Sequence, residues 1–509
     1  MTAEIALVAV NARYQHSSFG MRYLQANLAE LEERSQLMEF TINERAVDMA
    51  EKIVGAEPKV VGIGVYIWNV DVVQRLVRIV RQIRPDVSIV LGGPEVSYEQ
   101  EQQAWLKDAD YVICGEGEEA FLLLCRQLLS GDRPALRLLQ GTSPGMDRLV
   151  MPYRLYSDED IATRVIYVEA SRGCPYLCAF CLSSLDQKMR EVDLDPFFAE
   201  METLLARGTL GFKFIDRTFN LSAPFALRVL DFFYQRMRPG LNLHFEMVPE
   251  RLPPELIASL ARFPAGVVQL EVGVQTLNKA VAKRISRPLK VEPLRRNIAA
   301  LKAETQVHLH VDLIAGLPGE GVASFAQGFD QLHALEPHEI QLGILKRLKG
   351  TPITRHTEGF SMVYSASAPF EVLQTADVSF EELQAIKRFA RYWDIVVNNG
   401  QFPSASQLIW REQPSVYQAF AEFTQWLFER SGRTNHISLL KLAEYLLDFA
   451  MERRGLIEAE AAKVLISDLT RMGGRRLPKR LQPYEHLLPR RERPEPVKGL
   501  KRQQRHLRT

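Results

Sequence analysis

Three cysteines stand together in Cys174-Pro175-Tyr176-Leu177-Cys178-Ala179-Phe180-Cys181, a CxxxCxxC spacing. Three thiolates on so short a loop can bind three irons of a cubane iron–sulfur cluster. The fourth iron then has no protein ligand and can bind a substrate. A structural zinc site differs, because it is closed by four ligands. The two remaining cysteines, Cys114 and Cys125, lie upstream and form no second CxxC pair, and no HxxxH pattern offers a ligand nearby. The amino-terminal MTAEIALVAVNARY lacks the basic start and cleavage site of a signal peptide. No apolar run approaches the ~20 residues that a membrane span needs. We therefore expect a cytoplasmic protein without a membrane partner. In that compartment closely spaced cysteines indicate metal or redox chemistry rather than disulfides.

The elements that must position this loop show in the pattern of apolar runs. The chain has 509 residues, 46% hydrophobic and 25% charged, with a formal net charge of +1, ordinary values for a globular chain. Residues 1–140 alternate short apolar strands (5–10, 40–42, 60–67, 87–91 and 111–114) with amphipathic helices. This predicts a doubly wound, Rossmann-like parallel sheet covered on both faces. Ligands of such sheets bind beyond the carboxyl ends of the strands. Residues 141–160 read as a linker. Residues 161–360 repeat the alternation, with strand-like runs at 165–170, 212–216, 243–247, 267–272, 307–314 and 340–345. Six βα units suit a partial TIM-type barrel, short of the full eight. Residues 361–470 have helical spacing over 380–392, 416–430 and 439–453. The fold class is thus α/β with a mostly α-helical carboxyl-terminal region. Residues 471–509 carry thirteen Lys/Arg against three acidic residues and read as a basic tail, disordered or loosely docked.

The cysteine triplet, with an aromatic directly before its last cysteine and placed after the first barrel strand, resembles the signature of the radical S-adenosylmethionine (SAM) superfamily. That resemblance implies a 4Fe–4S cluster on Cys174, Cys178 and Cys181, and SAM chelated to the open iron by its amino and carboxylate groups. It also implies one-electron cleavage to a 5′-deoxyadenosyl radical that abstracts hydrogen from a small-molecule or cofactor-type substrate. The electron comes from a reductant such as flavodoxin or ferredoxin. Phe180 then lies near the adenine, and Asp216, in FIDRTFN, receives the SAM amino group; a helix cap or substrate contact is the alternative for Asp216. Glu271 and Gln275, in LEVGVQTLN, bind the ribose, or Glu271 forms an ion pair in the barrel. The segment HVDLIAGLPGE resembles oxygen-independent coproporphyrinogen oxidases and places Asp312 and Gly316 beside the adenosine.

Residues 1–140 resemble the cobalamin-binding domain that precedes many radical SAM cores. The matching pieces are Gly92–Gly93 after the fourth strand and CGEGEEAF at 114–121. Gly115 and Glu116 fall where the nucleotide tail or the interdomain face would be. Gly64, in GIGVYIW, replaces a usual serine. The DxHxxG motif is absent, and His16 lacks the carboxylate partner that normally orients a metal-binding histidine. The expected state is therefore cobalamin with no protein histidine on the cobalt.

Other residues stay open. His308 and His310 share a strand face with Asp312 and line the barrel interior or pack as hydrogen-bonded core. KRLKGTP at 346–352 contacts substrate or SAM. Tyr66, Trp68 and Trp393 read as core aromatics. The basic tail is the one part suited to nucleic acid. Three functions follow: a cobalamin-dependent radical SAM methyltransferase acting on an unactivated carbon, a non-methylating radical SAM enzyme (oxidative decarboxylation or rearrangement), and a non-catalytic cofactor- or RNA-binding protein. The catalytic residues beyond the cluster are not identified by the sequence.

Overall fold

The computed structural model describes residues 3–287, 289–471, 477–487 and 501–506. These form two compact units. The first runs to Arg217 and includes Lys346–Arg355 and Tyr364–Glu371. The second comprises Thr218–Leu345, His356–Val363 and the described residues from Val372 onward.

The first unit is built on six strands: β1 (Ile5–Asn11), β2 (Ser35–Thr41), β3 (Val60–Gly64), β4 (Ser88–Gly92), β5 (Tyr111–Cys114) and β6 (Leu138–Gln140). They form a parallel sheet in the order β2-β1-β3-β4-β5-β6. Every residue of β1 is buried, which explains its unbroken apolar run. Its side chains alternate between two cores. Ala6, Val8 and Val10 pack with residues of helices α2 (Ala46–Gly55) and α3 (Val70–Ile83). Ile5, Leu7 and Ala9 pack with residues of α1 (Phe19–Ala26) and α4 (Glu118–Ser130). The sheet is therefore doubly wound, with its order reversing between β1 and β3, where such folds bind ligands. The second strand begins at Ser35 rather than at 40, because its first residues are only half-buried and carry no apolar run.

The same unit holds the start of the second alternation. Strand β7 (Ile166–Val168) pairs in parallel with β10 (Gly211–Phe214). Between them the two-residue strands β8 (Ser171–Arg172) and β9 (Arg190–Glu191) pair antiparallel. This short ladder closes the base of the loop that carries the three cysteines.

In the second unit, β11 (Asn242–Met247), β12 (Val268–Gln275), β13 (His308–Ala315) and β14 (Glu339–Ile344) pair in parallel in chain order, with helices between them. All six strands expected of a TIM-type radical SAM core are thus present. Helices at Phe380–Trp393, Val416–Ser431, Leu439–Arg454 and Glu458–Thr470 make the helical carboxyl-terminal region. Ser379 and Glu382 form a capping box at the start of the first of these, satisfying backbone donors that the helix leaves unpaired.

Two stretches differ from expectation. Residues 141–160, read as a linker, are packed in part: Tyr153 and Tyr156 are each 1% exposed, and their phenols bond the backbone of Glu169 and Tyr167. Much of the basic tail lies outside the described residues. Within them, Lys501–His506 is helical, and Arg502 pairs with Glu339 at 2.7 Å while Gln503 accepts from Asn242 at 3.0 Å. Those partners stand at the amino ends of β14 and β11, so polar contacts hold this segment. Among the described residues, no helix is long and apolar enough to cross a membrane.

Candidate functional site

Cys174 and Cys178 are buried and Cys181 is half-buried, and none forms a disulfide. The loop is shaped by its own backbone. Cys174 N–H donates to Asp186 O at 2.8 Å, Cys181 N–H to Cys178 O at 3.0 Å, and Ser184 N–H to Cys181 O at 3.2 Å. Among the described residues, the one group that brings three ligand atoms within 4.8 Å of one another is His308, Glu339 and His506. Three thiols on one loop supply ligands for three corners of a cubane, one fewer than a closed zinc site needs. Phe180 is half-buried on the same loop.

A charge network grips both flanks of this loop. Arg172, two residues before Cys174, bonds Glu116 at 2.9 Å, Glu118 at 2.8 Å and Glu169 at 2.9 Å. Arg190, beyond the last cysteine, bonds Glu116, Asp186 at 2.6 Å and the Pro144 carbonyl at 2.7 Å. Burial opposes ionisation of Glu116, but the hydrogen bonds from Arg190 and the charge of Arg172 outweigh it and hold the carboxyl below its usual range. Burial raises Glu169, offset in part by Arg172. Glu116 thus belongs to the contact between the sheet and the cysteine loop. Both oxygens of Asp216, which is 1% exposed, accept hydrogen bonds, from Ala170 N–H at 3.1 Å and Ser171 O–H at 2.5 Å. Asp216 therefore braces the end of β7, and an ammonium arriving there would share those oxygens.

Beyond the carboxyl ends of β1, β3, β4 and β5 lies a cavity of about 720 Å³, within the size range of cofactor sites. Gly64, Gly92, Gly93, Gly115 and Glu116 all line it. A Cβ on Gly92 would stand clear of every neighbour except Ile113 O at 3.7 Å, so the missing side chain leaves space beside the cavity. Gly93 has φ +102°, and a Cβ there would lie 2.5 Å from Val65 O, so no other residue fits. Tyr66 and Trp68 also line the cavity, stacked with their centroids 4.5 Å apart, and Trp68 is 46% exposed. The reading of Trp68 as a core aromatic is thus corrected. Tyr167, Arg172, Leu182 and Leu185 line it as well. The two leucines lie one and four residues after Cys181 in the chain, so the segment that leaves the cysteine loop forms part of the cavity wall. His16 is on the wall too, its Nδ1 2.6 Å from the Tyr167 hydroxyl, and burial lowers its pKa.

In the second unit, parallel pairing sets Glu271 beside His310 and Gly273 beside Asp312. Glu271 lies 2.9 Å from His244 Nε2, the ion-pair alternative, and Asp312 lies 3.3 Å from His310 Nε2. Gln275 has φ +71° and sits at a β-bulge where the register shifts from Gly273. Such bulges re-aim side chains at the ends of strands. A side chain on Gly316 would run into Val372 at 2.5 Å. His308 bonds Glu339 at 2.9 Å and is buried, the core alternative for that residue.

The sequence missed Arg172, Arg190, Tyr167 and Trp68. Their signal was position: each stands within a few residues of a motif or a strand end, but charge and aromaticity alone do not reveal a partner far along the chain.

Comparison with known proteins agrees with this architecture. Residues 5–124 match the B12 binding domain, residues 168–332 the radical SAM superfamily, and residues 358–495 a protein of unknown function, DUF4080. The chain therefore joins a B12-binding domain to a radical SAM domain, followed by an uncharacterised domain. It is 24% identical to the cobalamin-dependent radical SAM methyltransferase TokK of Streptomyces tokunonensis, over 58% of this chain and 48% of that one. The chain spans less than two thirds of the length of the first curated relatives it matches. The structure of TsrM from Kitasatospora setae, a radical SAM methyltransferase with cobalamin and a [4Fe-4S] cluster bound, aligns with TM-score 0.56 and 18% identity, covering 72% of this chain and 81% of that one. OxsB, a cobalamin-dependent SAM radical enzyme with aqua-cobalamin and SAM bound, aligns with TM-score 0.58 and 12% identity, covering 91% and 78%. These structural likenesses are of fold.

Proposed function

We propose that this chain, a radical SAM protein with a B12-binding domain, is a cobalamin-dependent methyltransferase that acts on an unactivated carbon of a small molecule. One observation carries the reading: Leu182 and Leu185, one and four residues after Cys181, line the same cavity as Gly92 and Gly93. A cobalamin in that cavity and a cluster on the cysteine loop would share a wall, as a reaction using both requires.

The residues present fit both groups. Cys174, Cys178 and Cys181 would hold the cluster, and the cavity beyond the strand ends would hold the corrin, with Gly92 leaving room and Tyr66–Trp68 giving an aromatic face. When bound, the cluster supplies one electron to the sulfonium of SAM and cobalamin supplies methyl-transfer chemistry. The protein does the rest. Leu182 and Leu185 present apolar surface that keeps water from the reacting atoms. Arg172 and Arg190 fix the loop that carries the thiolates. Tyr167 holds the His16 ring through Nδ1. A low-potential donor such as flavodoxin or ferredoxin supplies the electron.

The test needs no known substrate. Full-length protein, reconstituted anaerobically with iron, sulfide and hydroxocobalamin, is given reductant and SAM. Formation of both S-adenosylhomocysteine and 5′-deoxyadenosine supports the proposal. 5′-Deoxyadenosine alone, with cobalamin unmethylated, favours the non-methylating radical reaction, and neither product rejects both.

A further inference from the structure

The cavity wall at Gly93–Tyr98 has two sides. Gly93, Pro94, Ser97 and Tyr98 face the cavity. Glu95 and Glu99 instead meet a stretch of chain that arrives only after the last strand of the second alternation. Lys349 Nζ lies 2.5 Å from Glu95 Oε1, with side chains 11% and 3% exposed. The lysine is the charge that compensates that buried oxygen. Burial pushes the Glu95 carboxyl up, and Lys349 draws it back. Arg347 bonds Glu99 at 2.7 Å across 248 residues of sequence. Gly350 has φ +79°, and a Cβ there would fall 2.4 Å from the ring of Tyr98. The backbone of Gly350 therefore lies close against the ring of Tyr98, a residue that lines the cavity. Its N–H also points to Glu99 Oε1 at 3.4 Å. Compactness tells the same story, because Lys346–Arg355 and Tyr364–Glu371 belong to the first unit. Within that unit Phe370 lies 5.3 Å below the Lys349 ammonium.

We propose that Lys349 and Gly350 are positioning residues for the cobalamin cavity: they pin the Gly93–Tyr98 loop in place from behind. This rests on the reading that the cavity takes cobalamin, and it adds that the site is not built by residues 1–140 alone. The physical reason is the buried pair. Removing Lys349 takes away the counter-charge and the cation that anchor Glu95, so the carboxyl either takes up a proton or turns toward water, and in both cases the loop loses its tie. A side chain at 350 displaces the Tyr98 ring directly, with the ion pair intact.

The experiment uses full-length K349M and G350A, titrated with hydroxocobalamin, with iron per chain measured alongside and hydrogen exchange followed over residues 95–99. Affinity falls on the order of tenfold in each variant, as for other lost buried partners. Exchange over the loop rises, and iron content stays at the wild-type level, which a general loss of structure would not allow. Should K349M fail to accumulate as folded protein, G350A carries the test. Wild-type affinity in both folded variants overturns this inference alone. Wild-type protein that binds no hydroxocobalamin overturns the cavity reading and this inference with it.

Discussion

Arg172 Nη1 donates to Glu116 Oε2 at 2.9 Å, joining a residue two places before the first cluster cysteine to the loop that follows β5. The same nitrogen reaches Glu118 at 2.8 Å, and the guanidinium lies over the Tyr23 ring at 4.9 Å. The site that would hold iron and the site that would hold cobalt are thus tied by a buried charge network rather than by apolar contact alone.

Breaking that tie should be costly. In R172M, Glu116, Glu118 and Glu169 lose a shared counter-charge in a largely dehydrated setting. Loss of one partner from a buried pair typically costs about 3–5 kcal/mol. Denaturant unfolding should show a drop of that order, together with poor iron retention. A variant as stable as wild type would show that the network is solvated in solution.

Substitution at the cysteines should behave differently. C174A, C178A and C181A should each lose the iron chromophore and any SAM cleavage while still binding hydroxocobalamin, because the cavity's glycines and aromatics are intact. Iron analysis beside a cobalamin titration separates the two. Loss of cobalamin binding in every cysteine variant would mean that the cluster itself builds the cavity wall.

Acid–base behaviour gives a third expectation. Burial, the largest influence, pushes Asp216 up to about 7 from the ordinary 3.8, against the hydrogen bonds from Ser171 and Ala170. The folded state therefore holds this proton more tightly than the unfolded chain. Its contribution to stability is full below the unfolded value near 3.8 and is lost as pH rises through about 7. D216N should flatten the stability profile across that window by an amount on the order of a few kcal/mol. Equal slopes for both proteins would place the Asp216 proton outside the folding linkage.

Much of this architecture was legible in the residues. The β1 run Ile5–Val10 is apolar because both faces of its sheet are covered, and the three cysteines announce their loop without any fold. In the stretch 141–160, read as a linker, the burial of Tyr153 and Tyr156 is not legible, because they sit in short turns with no helical or strand period. Trp68 differs from expectation for the converse reason: it follows an apolar strand that ends at Gly64, yet it faces a cavity that only the neighbouring strands and the cysteine loop define. Glu95 and Lys349 form a pair that no window of sequence contains.

Trp68 offers an optical reporter. It is 46% exposed on the cavity wall, and a corrin bound against it should quench its emission. Hydroxocobalamin should lower tryptophan fluorescence in wild-type protein, and W68F should lose most of that change. An equal response in W68F would put the cofactor elsewhere.

The central claim is that the cysteine loop leaves one iron open to SAM. Mössbauer spectra of full-length protein reconstituted with ⁵⁷Fe, recorded with and without SAM, test it most directly. The account predicts a 4Fe–4S cluster in which one iron site changes on adding SAM while three do not. Four equivalent irons indifferent to SAM, or tightly held zinc in place of the cluster, would contradict it.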